Sequence, residues 1–242
     1  YNDGAAASAS FDLRDTTIAG MEAFSLSQGA DMDKYLYLTG AQVASDLPSN
    51  LTISGNNYSG STDLVYIYMS YNGTDSQSVD LSSWNLSGWQ SGGDQNDRIN
   101  IYGTTLADTI SGSSQRDNVY GGTGNDSILG NAGDDYIDAL GDNDIVYGGL
   151  GNDTILGYDG NDSLYGDEGN DSLSGENGTD RLYGGDGNDT LNGGGGTDFL
   201  YAGEGTDSLY GGDGTGYFYG GVDNSASSYF GGTSNDYFYK NS

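Results

Sequence analysis

Aspartates recur every nine residues through the second half of the chain, and this spacing is the strongest chemical signal in the sequence. Each ends a glycine-rich turn, and an aliphatic side chain follows two residues later, as in Asp126 and Ile128. Carboxylates are oxygen ligands of the kind that calcium prefers. The regular turns end at Asp126, Asp135, Asp153, Asp162, Asp171, Asp180, Asp189, Asp198 and Asp207. A fixed period of this kind predicts a solenoid.

The nine-residue unit also predicts how the turns stack. Three extended residues cross a sheet and six turn the corner, so nine residues form half a coil and eighteen form a full coil. Turns eighteen residues apart therefore lie on the same side, in two ladders. Glycine suits such turns because they require positive φ and close approach of the main chain. One ladder contains Asp135, Asp153, Asp171, Asp189 and Asp207, and the other contains Asp126, Asp144, Asp162, Asp180 and Asp198.

The units GGTGNDSIL, from Gly121, and GNAGDDYID, from Gly130, carry a family resemblance. They resemble the RTX (hemolysin-type calcium-binding) repeat, whose pattern is Gly-Gly-x-Gly-x-Asp-x-aliphatic-x. The resemblance implies an all-β fold, a right-handed parallel β-roll stapled by calcium. It also implies ions between turns i and i+2, which gives four sites per ladder and roughly eight ions or more. Asp144 ends an irregular turn, so the first site of its ladder is expected to be weak.

Four further aspartates are predicted to be weaker ligands. Residues 92–120 lead into the regular repeat, and the turns before Asp108 and Asp117 lack glycine at the fourth position. Asp97 lies in a near-repeat, with eleven residues separating it from Asp108. After residue 210 the pattern decays, and one last unit restores Asp236.

The composition excludes several functional classes. The chain has 36 acidic and 6 basic residues, no histidine and no cysteine. Its negative charge disfavours nucleic acid and bare anionic membranes as partners. The sequence contains no run of 18 apolar residues, the length that would predict a membrane-spanning segment. Catalytic triads, Cys–His pairs and His-ligated zinc are impossible, and no Gly-x-Ser-x-Gly motif occurs, so we predict a protein that is not an enzyme.

Residues 1–91 lack the repeat and contain short alternating runs bounded by turn residues, which indicates strands. We predict irregular β coils or a small β cap region that continues into the roll, with Trp84 and Trp89 sealing the join. An independent β-sandwich is the alternative. The predicted organisation is residues 1–91 as this β-rich region, 92–219 as the β-roll and 220–242 as an aromatic C-terminal cap.

A column of tyrosines is predicted on one face of the roll. The ninth position of alternate units is Tyr147, Tyr165, Tyr183, Tyr201 and Tyr219. This position points outward because the aliphatic eighth residue points inward. The column could stabilise neighbouring strands, or it could be a face for lateral association or for surface glycans. Ice binding requires a regular threonine rank, and the seventh positions of the opposite face are too mixed for one.

These observations predict a secreted calcium-binding structural protein at the cell surface or in the extracellular space. Its expected role is a building block of a filament, matrix or surface layer, and it would self-associate through its cap ends or its tyrosine face. The alternative is the C-terminal calcium-folding module of a larger type I-secreted adhesin, toxin or enzyme. An ice- or glycan-binding solenoid is a third possibility.

Overall fold

Short parallel strands separated by tight turns build the described part of the protein. The computed structural model describes residues 9–12, 23–25, 34–39, 52–54, 63–68, 78–81, 85–87, 98–221 and 227–239. All regular secondary structure in these ranges is β, and none of them contains a helix long and apolar enough to cross a membrane. The proposed seal by Trp84 and Trp89 concerns residues outside the described ranges.

The strands fall into an irregular first series and a repeating second series. The first nine are β1 (Ala9–Asp12), β2 (Ala23–Ser25), β3 (Lys34–Thr39), β4 (Thr52–Ser54), β5 (Asp63–Tyr68), β6 (Ser78–Asp80), β7 (Asn85–Ser87), β8 (Arg98–Tyr102) and β9 (Thr109–Ser111). The others are β10 (Asp117–Thr123), β11 (Ser127–Ala132), β12 (Tyr136–Gly141), β13 (Ile145–Leu150), β14 (Thr154–Leu156), β15 (Asp159–Gly160), β16 (Ser163–Glu168), β17 (Ser172–Gly178), β18 (Arg181–Asp186), β19 (Thr190–Glu204), β20 (Ser208–Tyr210), β21 (Thr215–Tyr219), β22 (Ser228–Phe230) and β23 (Tyr237–Tyr239).

Two long stacks of parallel strands form the walls of the roll. The first stack runs through β8, β10, β12, β14, β17, the start of β19, β20 and β22. The second runs through β9, β11, β13, β16, β18, the end of β19, β21 and β23. Successive strands of a stack pair at an offset of eighteen residues, as in Ile137↔Ile155, except for the last pair of each stack, which is offset by twenty. The expected parallel β-solenoid is confirmed.

The irregular strands extend the same solenoid toward the N-terminus. β3 pairs in parallel with β1 and β5, and β5 pairs in parallel with β8. The pairs Lys34↔Asp63 and Leu64↔Arg98 join residues 29 and 34 apart, whereas Ile99 and Asp117 are 18 apart. β2, β4 and β7 form a third, short parallel stack. The described pairings in this region are parallel, as in coils that continue the solenoid, whereas the sheets of a β-sandwich are antiparallel.

One aliphatic side chain per repeat fills the interior. The eighth-position residues from Ile110 to Leu209 are at most 1% exposed, and Phe218 continues their column at 0%. The side chains of successive strands in a stack lie above one another because the pairing is in register. Burying these apolar columns stabilises the walls and leaves the six-residue turns at the two edges of the roll.

Candidate calcium sites in the stacked turns

The predicted aspartates line the two edges of the roll. In each ladder, the backbone N–H of one aspartate donates a hydrogen bond to Oδ1 of the aspartate eighteen residues later. Asp153 donates to Asp171 at 2.8 Å, and Asp162 donates to Asp180 at 2.8 Å. The same bond joins every consecutive pair from Asp126 to Asp198 in one ladder and from Asp135 to Asp207 in the other. Each Oδ1 therefore connects two stacked turns.

The second carboxylate oxygen of these side chains has no partner among the described residues. Oδ2 is buried and accepts no hydrogen bond in nine turn aspartates. A buried polar atom without a partner is costly, and such atoms mark sites where an ion or a water belongs. These nine are Asp126, Asp135, Asp144, Asp153, Asp162, Asp171, Asp180, Asp189 and Asp198.

For seven of these nine aspartates, Oδ2 and a main-chain carbonyl oxygen face the space beside the first glycine of the repeat. A Cβ added to Gly148 would lie 2.4 Å from Oδ2 of Asp153 and 2.9 Å from the carbonyl oxygen of Gly166, one coil further on. The same cradle recurs at Gly166, where the neighbours are Oδ2 of Asp171 and the carbonyl oxygen of Gly184. At these seven units a Cβ would fill the space that the two oxygens share, whereas the equivalent residue before Asp144 is Ala139.

This donor set fits calcium. Among the described residues, no three carboxylates converge on one point, so an ion at these turns takes one or two carboxylates and draws its other ligands from main-chain carbonyls. Calcium accepts such mixtures of carboxylate and carbonyl oxygens. When bound, calcium would neutralise the buried charge of the aspartates and connect neighbouring coils.

The aspartates predicted to be weaker ligands have a different environment. Oδ2 of Asp108 accepts the N–H of Thr104 at 2.6 Å, and Oδ2 of Asp117 accepts the N–H of Ser113 at 2.6 Å. Oδ2 of Asp236 accepts the N–H of Gly232 at 3.0 Å. The protein itself therefore satisfies these oxygens, whereas the nine Oδ2 atoms named above have no partner among the described residues. Asp97 lies outside the described ranges.

The irregular turn before Asp144 keeps the arrangement of its neighbours. Oδ1 of Asp144 accepts the N–H of Asp126 at 2.7 Å, and its Oδ2 is buried without a partner. Two non-glycine residues take the left-handed conformation there, Leu140 at φ 77° and Asp142 at φ 73°. This turn therefore carries backbone strain that glycine would relieve, although its carboxylate is placed as in the regular turns.

Asp207 ends its ladder with a hydroxyl neighbour. The Oγ of Ser227 lies 3.1 Å from Oδ2 of Asp207 and also accepts the backbone N–H of that aspartate. Ser227 is 20 residues beyond Asp207, so the nine-residue period gives no indication of this contact. The residue eighteen positions after Asp207 is Ser225 rather than aspartate, and this departure from the period is the signal that another group must close the ladder.

Substituting one carboxylate tests whether the partnerless oxygens bind calcium. Asp171→Asn keeps the Oδ1 acceptor and replaces the charged Oδ2 with an amide nitrogen, so we expect at least one calcium ion fewer per chain and a calcium midpoint of folding raised by about tenfold. Calorimetry and calcium-titrated circular dichroism measure both. Asp117→Asn is the control, because the oxygen of Asp117 already has a protein partner. Equal calcium binding by Asp171→Asn and the unsubstituted protein would contradict the assignment.

Burial raises the pKa of the turn aspartates in the metal-free fold. Desolvation is the main cause, and it raises the pKa from 3.8 to about 6 for Asp162, to about 7 for Asp153 and to about 9 for Asp135. For Asp135 the charge of Asp117 adds to the effect of burial. Each carboxylate thus costs the metal-free protein stability at neutral pH.

These shifts fix the sign of a pH dependence. A folded pKa above the unfolded value means that the stability contribution is fully present below about pH 4 and is lost as the pH rises through the folded values. We expect the β signal of the calcium-free protein to fall between pH 6 and pH 8, where exposed carboxylates no longer titrate. Circular dichroism at one temperature in calcium-depleted buffer measures this loss. A β signal that is constant or rises over that range would contradict the prediction, and calcium should abolish the dependence.

The tyrosine column forms a stacked ladder on the second stack. Successive rings from Tyr147 to Tyr219 are 4.5 to 4.6 Å apart and at most 11° from parallel. Tyr239 adds a sixth ring at 5.0 Å from Tyr219. The periodic positions do not include Tyr239, because the insertion before it shifts the offset to twenty residues. Each stacked pair contributes about 0.5–1.5 kcal/mol, and the rings still form an outward face.

Asparagine side chains form further hydrogen-bonded ladders, and the sequence pattern indicated no role for these residues. Oδ1 of Asn152 accepts both the backbone N–H and the side-chain N–H of Asn170, and Oδ1 of Asn170 accepts the same pair from Asn188. These asparagines precede the calcium-site aspartates. Their repetition at the fifth position of the unit is the signal that could have identified them. They fix the spacing of successive turns.

Comparison with known families identifies the repeat. The model of the RTX calcium-binding nonapeptide repeat matches residues 102–137, 120–155, 156–191, 183–218 and 192–225. No curated protein matches the chain. RTX repeats bind calcium, form a structural rather than a catalytic unit, and are typical of secreted proteins. The protein therefore belongs to the RTX calcium-binding nonapeptide repeat family.

Proposed function

We propose that the protein is a secreted structural protein that folds with calcium and assembles into an extracellular filament, matrix or surface layer. The observation that carries this proposal is the exposed core at the C-terminal end of the roll. Phe238 stacks on Phe218 at 4.8 Å and continues its column, yet it is 55% exposed whereas Phe218 is 0% exposed. Its neighbours Tyr237 and Tyr239 are 45% and 46% exposed. A further coil stacked on this end would bury them.

Strand pairing supports association through the two ends. Among the described strands, β22 pairs only with β20, β23 only with β21, and β1 only with β3. Within the described part of the chain, each of these strands has one edge without a strand partner, and such edges are templates for pairing with another chain. Because all pairings are parallel, joining the end of one copy to the start of the next is a heterologous contact, and repetition of that contact generates an open filament.

The tyrosine ladder supports lateral contacts between such filaments. It runs along one wall of the roll, and its terminal rings, Tyr147 and Tyr239, are 37% and 46% exposed. A second column beside it stacks Phe199, Tyr217 and Tyr237 at 4.9 Å spacing, the first two half-buried and the last exposed. Aromatic side chains are enriched at protein interfaces. Surface glycans are further candidate partners of this wall, and the proposal includes no catalytic step.

Light scattering and negative-stain microscopy with calcium and with chelator test the proposal. We expect filaments only with calcium, and a critical concentration raised at least tenfold when Tyr237, Phe238 and Tyr239 are all changed to serine. The control changes Tyr147 and Tyr165 to serine, which should weaken lateral bundling and leave filament length unchanged. A calcium-folded monomer at high protein concentration would contradict assembly.

That monomer would instead support a second candidate function. The calcium turns also suit a folding module of a larger type I-secreted adhesin, toxin or enzyme, because the partnerless carboxylates link folding to external calcium. Such a module needs no contact between copies. The calcium midpoint of folding would then be independent of protein concentration, whereas in an assembling protein it falls as concentration rises.

A further inference from the structure

One aspartate on the outer wall of the roll has an unexpected environment. Asp138 is in register with Tyr120 on one side and Leu156 on the other, at the outward-facing ninth position of the unit. It is nevertheless only 7% exposed, and its Oδ1 has no hydrogen-bond partner among the described residues. Asp138 is separate from the calcium turns, since it lies within strand β12.

Two tyrosines neighbour this carboxylate on the wall, Tyr120 in register on β10 and Tyr136 two residues earlier on β12. The rings of Tyr120 and Tyr136 are 6.1 Å apart and inclined at 54°, so they form an open angle rather than a stack. Tyr158, in the left-handed conformation at φ 70°, lies in the next coil and is 41% exposed. Burial raises the pKa of Tyr136, and the charge of Asp138 and the phenols of Tyr158 and Tyr120 act in the same direction.

Two arginines, Arg98 and Arg116, line the groove beside this wall. Arg116 lies in the adjoining groove, where its Nε donates to the carbonyl of Asp134 at 3.0 Å and a guanidinium nitrogen lies 3.8 Å from the Asp134 carboxylate. No described residue donates a hydrogen bond to Oδ1 of Asp138. Burial raises the pKa of Asp138. Within the described residues, Oδ1 of this carboxylate therefore has no contact with a cation of the kind that usually accompanies a buried acid.

We propose that Asp138, Tyr120, Tyr136 and Tyr158 form a binding site for an alkylammonium group, the lysine side chain of a partner protein. Aromatic faces attract such cations, more strongly when the cation is desolvated, and the carboxylate supplies the opposite charge. A single carboxylate among aromatic rings offers too few oxygens for calcium. The formal net charge of −30 favours the approach of basic partners. This proposal does not rest on filament assembly.

Titration of the full chain in saturating calcium tests the site. The probe is Nα-acetyl-lysine amide, followed by tyrosine fluorescence and by calorimetry, with its Nε-acetylated form as the uncharged comparison. We expect saturable binding of the lysine compound and no saturation with the acetylated one. Asp138→Asn should weaken binding at least tenfold, and Tyr158→Ala several-fold. Asp186→Asn removes an equal charge from an exposed turn residue and should leave binding unchanged.

Three outcomes would overturn the proposal: no saturable binding by the unsubstituted protein, equal binding of the acetylated compound, or equal binding by Asp138→Asn. The Asn side chain has nearly the same shape as Asp, and the substitution removes a buried charge without a partner, so the variant should fold. An unchanged calcium midpoint in circular dichroism verifies that folding. Loss of lysine binding together with an unchanged calcium midpoint supports a ligand site rather than a structural role.

Discussion

Removing calcium at neutral pH is expected to convert the roll between residues 121 and 210 from β structure into an expanded chain. Nine turn aspartates bury an oxygen without a partner, and each costs about 1–3 kcal/mol when no ion satisfies it. Their sum, on the order of 10–25 kcal/mol, equals or exceeds the 5–15 kcal/mol by which a typical protein is stable. Like charges stacked at every second turn add repulsion. The buried aliphatic columns cannot offset both.

Circular dichroism and small-angle scattering with excess chelator measure this effect, and adding calcium back tests its reversal. Magnesium at the same concentration is the control, because it demands a smaller octahedral site and releases its water reluctantly. We expect magnesium to restore little structure. A full β spectrum and a compact radius in excess chelator would contradict the prediction, and the partnerless oxygens would then require another explanation.

The second large effect is expected from alanine at Gly169. This glycine has φ 140°, and a Cβ there would lie 1.6 Å from the carbonyl oxygen of Gly151 in the preceding turn. Neither the conformation nor the backbone neighbour can adjust without separating two coils. We expect Gly169→Ala to lower the free energy of unfolding by about 4 kcal/mol or more, the range of severe core defects. Urea unfolding in saturating calcium measures the loss.

Gly195→Ala is the matched control in the same solenoid. A Cβ at Gly195 would meet its nearest atom, Oδ1 of Asn177, at 3.6 Å, which is ordinary contact, and its φ is outside the left-handed range. A compatible Gly→Ala change is expected to be neutral or to stabilise by up to about 1 kcal/mol, because it restricts the unfolded chain. Equal urea midpoints for the two variants would show that the close approach of the turns does not limit stability.

The repeat made much of the fold predictable. The ladders of aspartates, the buried aliphatic column and the tyrosine stack all follow from one period of nine, because every unit has the same neighbours eighteen residues away. Local preference and tertiary contact therefore agree at each unit. Where the sequence departs from the nine-residue period, the strand pairing and the ring contacts could not be predicted residue by residue. The 29- and 34-residue offsets of the first coils and the sixth tyrosine, Tyr239, have no counterpart in the nonapeptide.

For the candidate sites, too, some features follow from the repeat and others depend on tertiary contacts. The sequence alone determined which aspartates line the turns, since the side-chain position within a regular coil depends only on its place in the unit. Only the tertiary structure decided which carboxylate oxygens keep a protein partner, as at Asp117, and which do not, as at Asp171. It alone buried Asp138 between Tyr120 and Leu156 at an outward-facing position. Those differences depend on the particular neighbours above and below each residue, which a shared period does not specify.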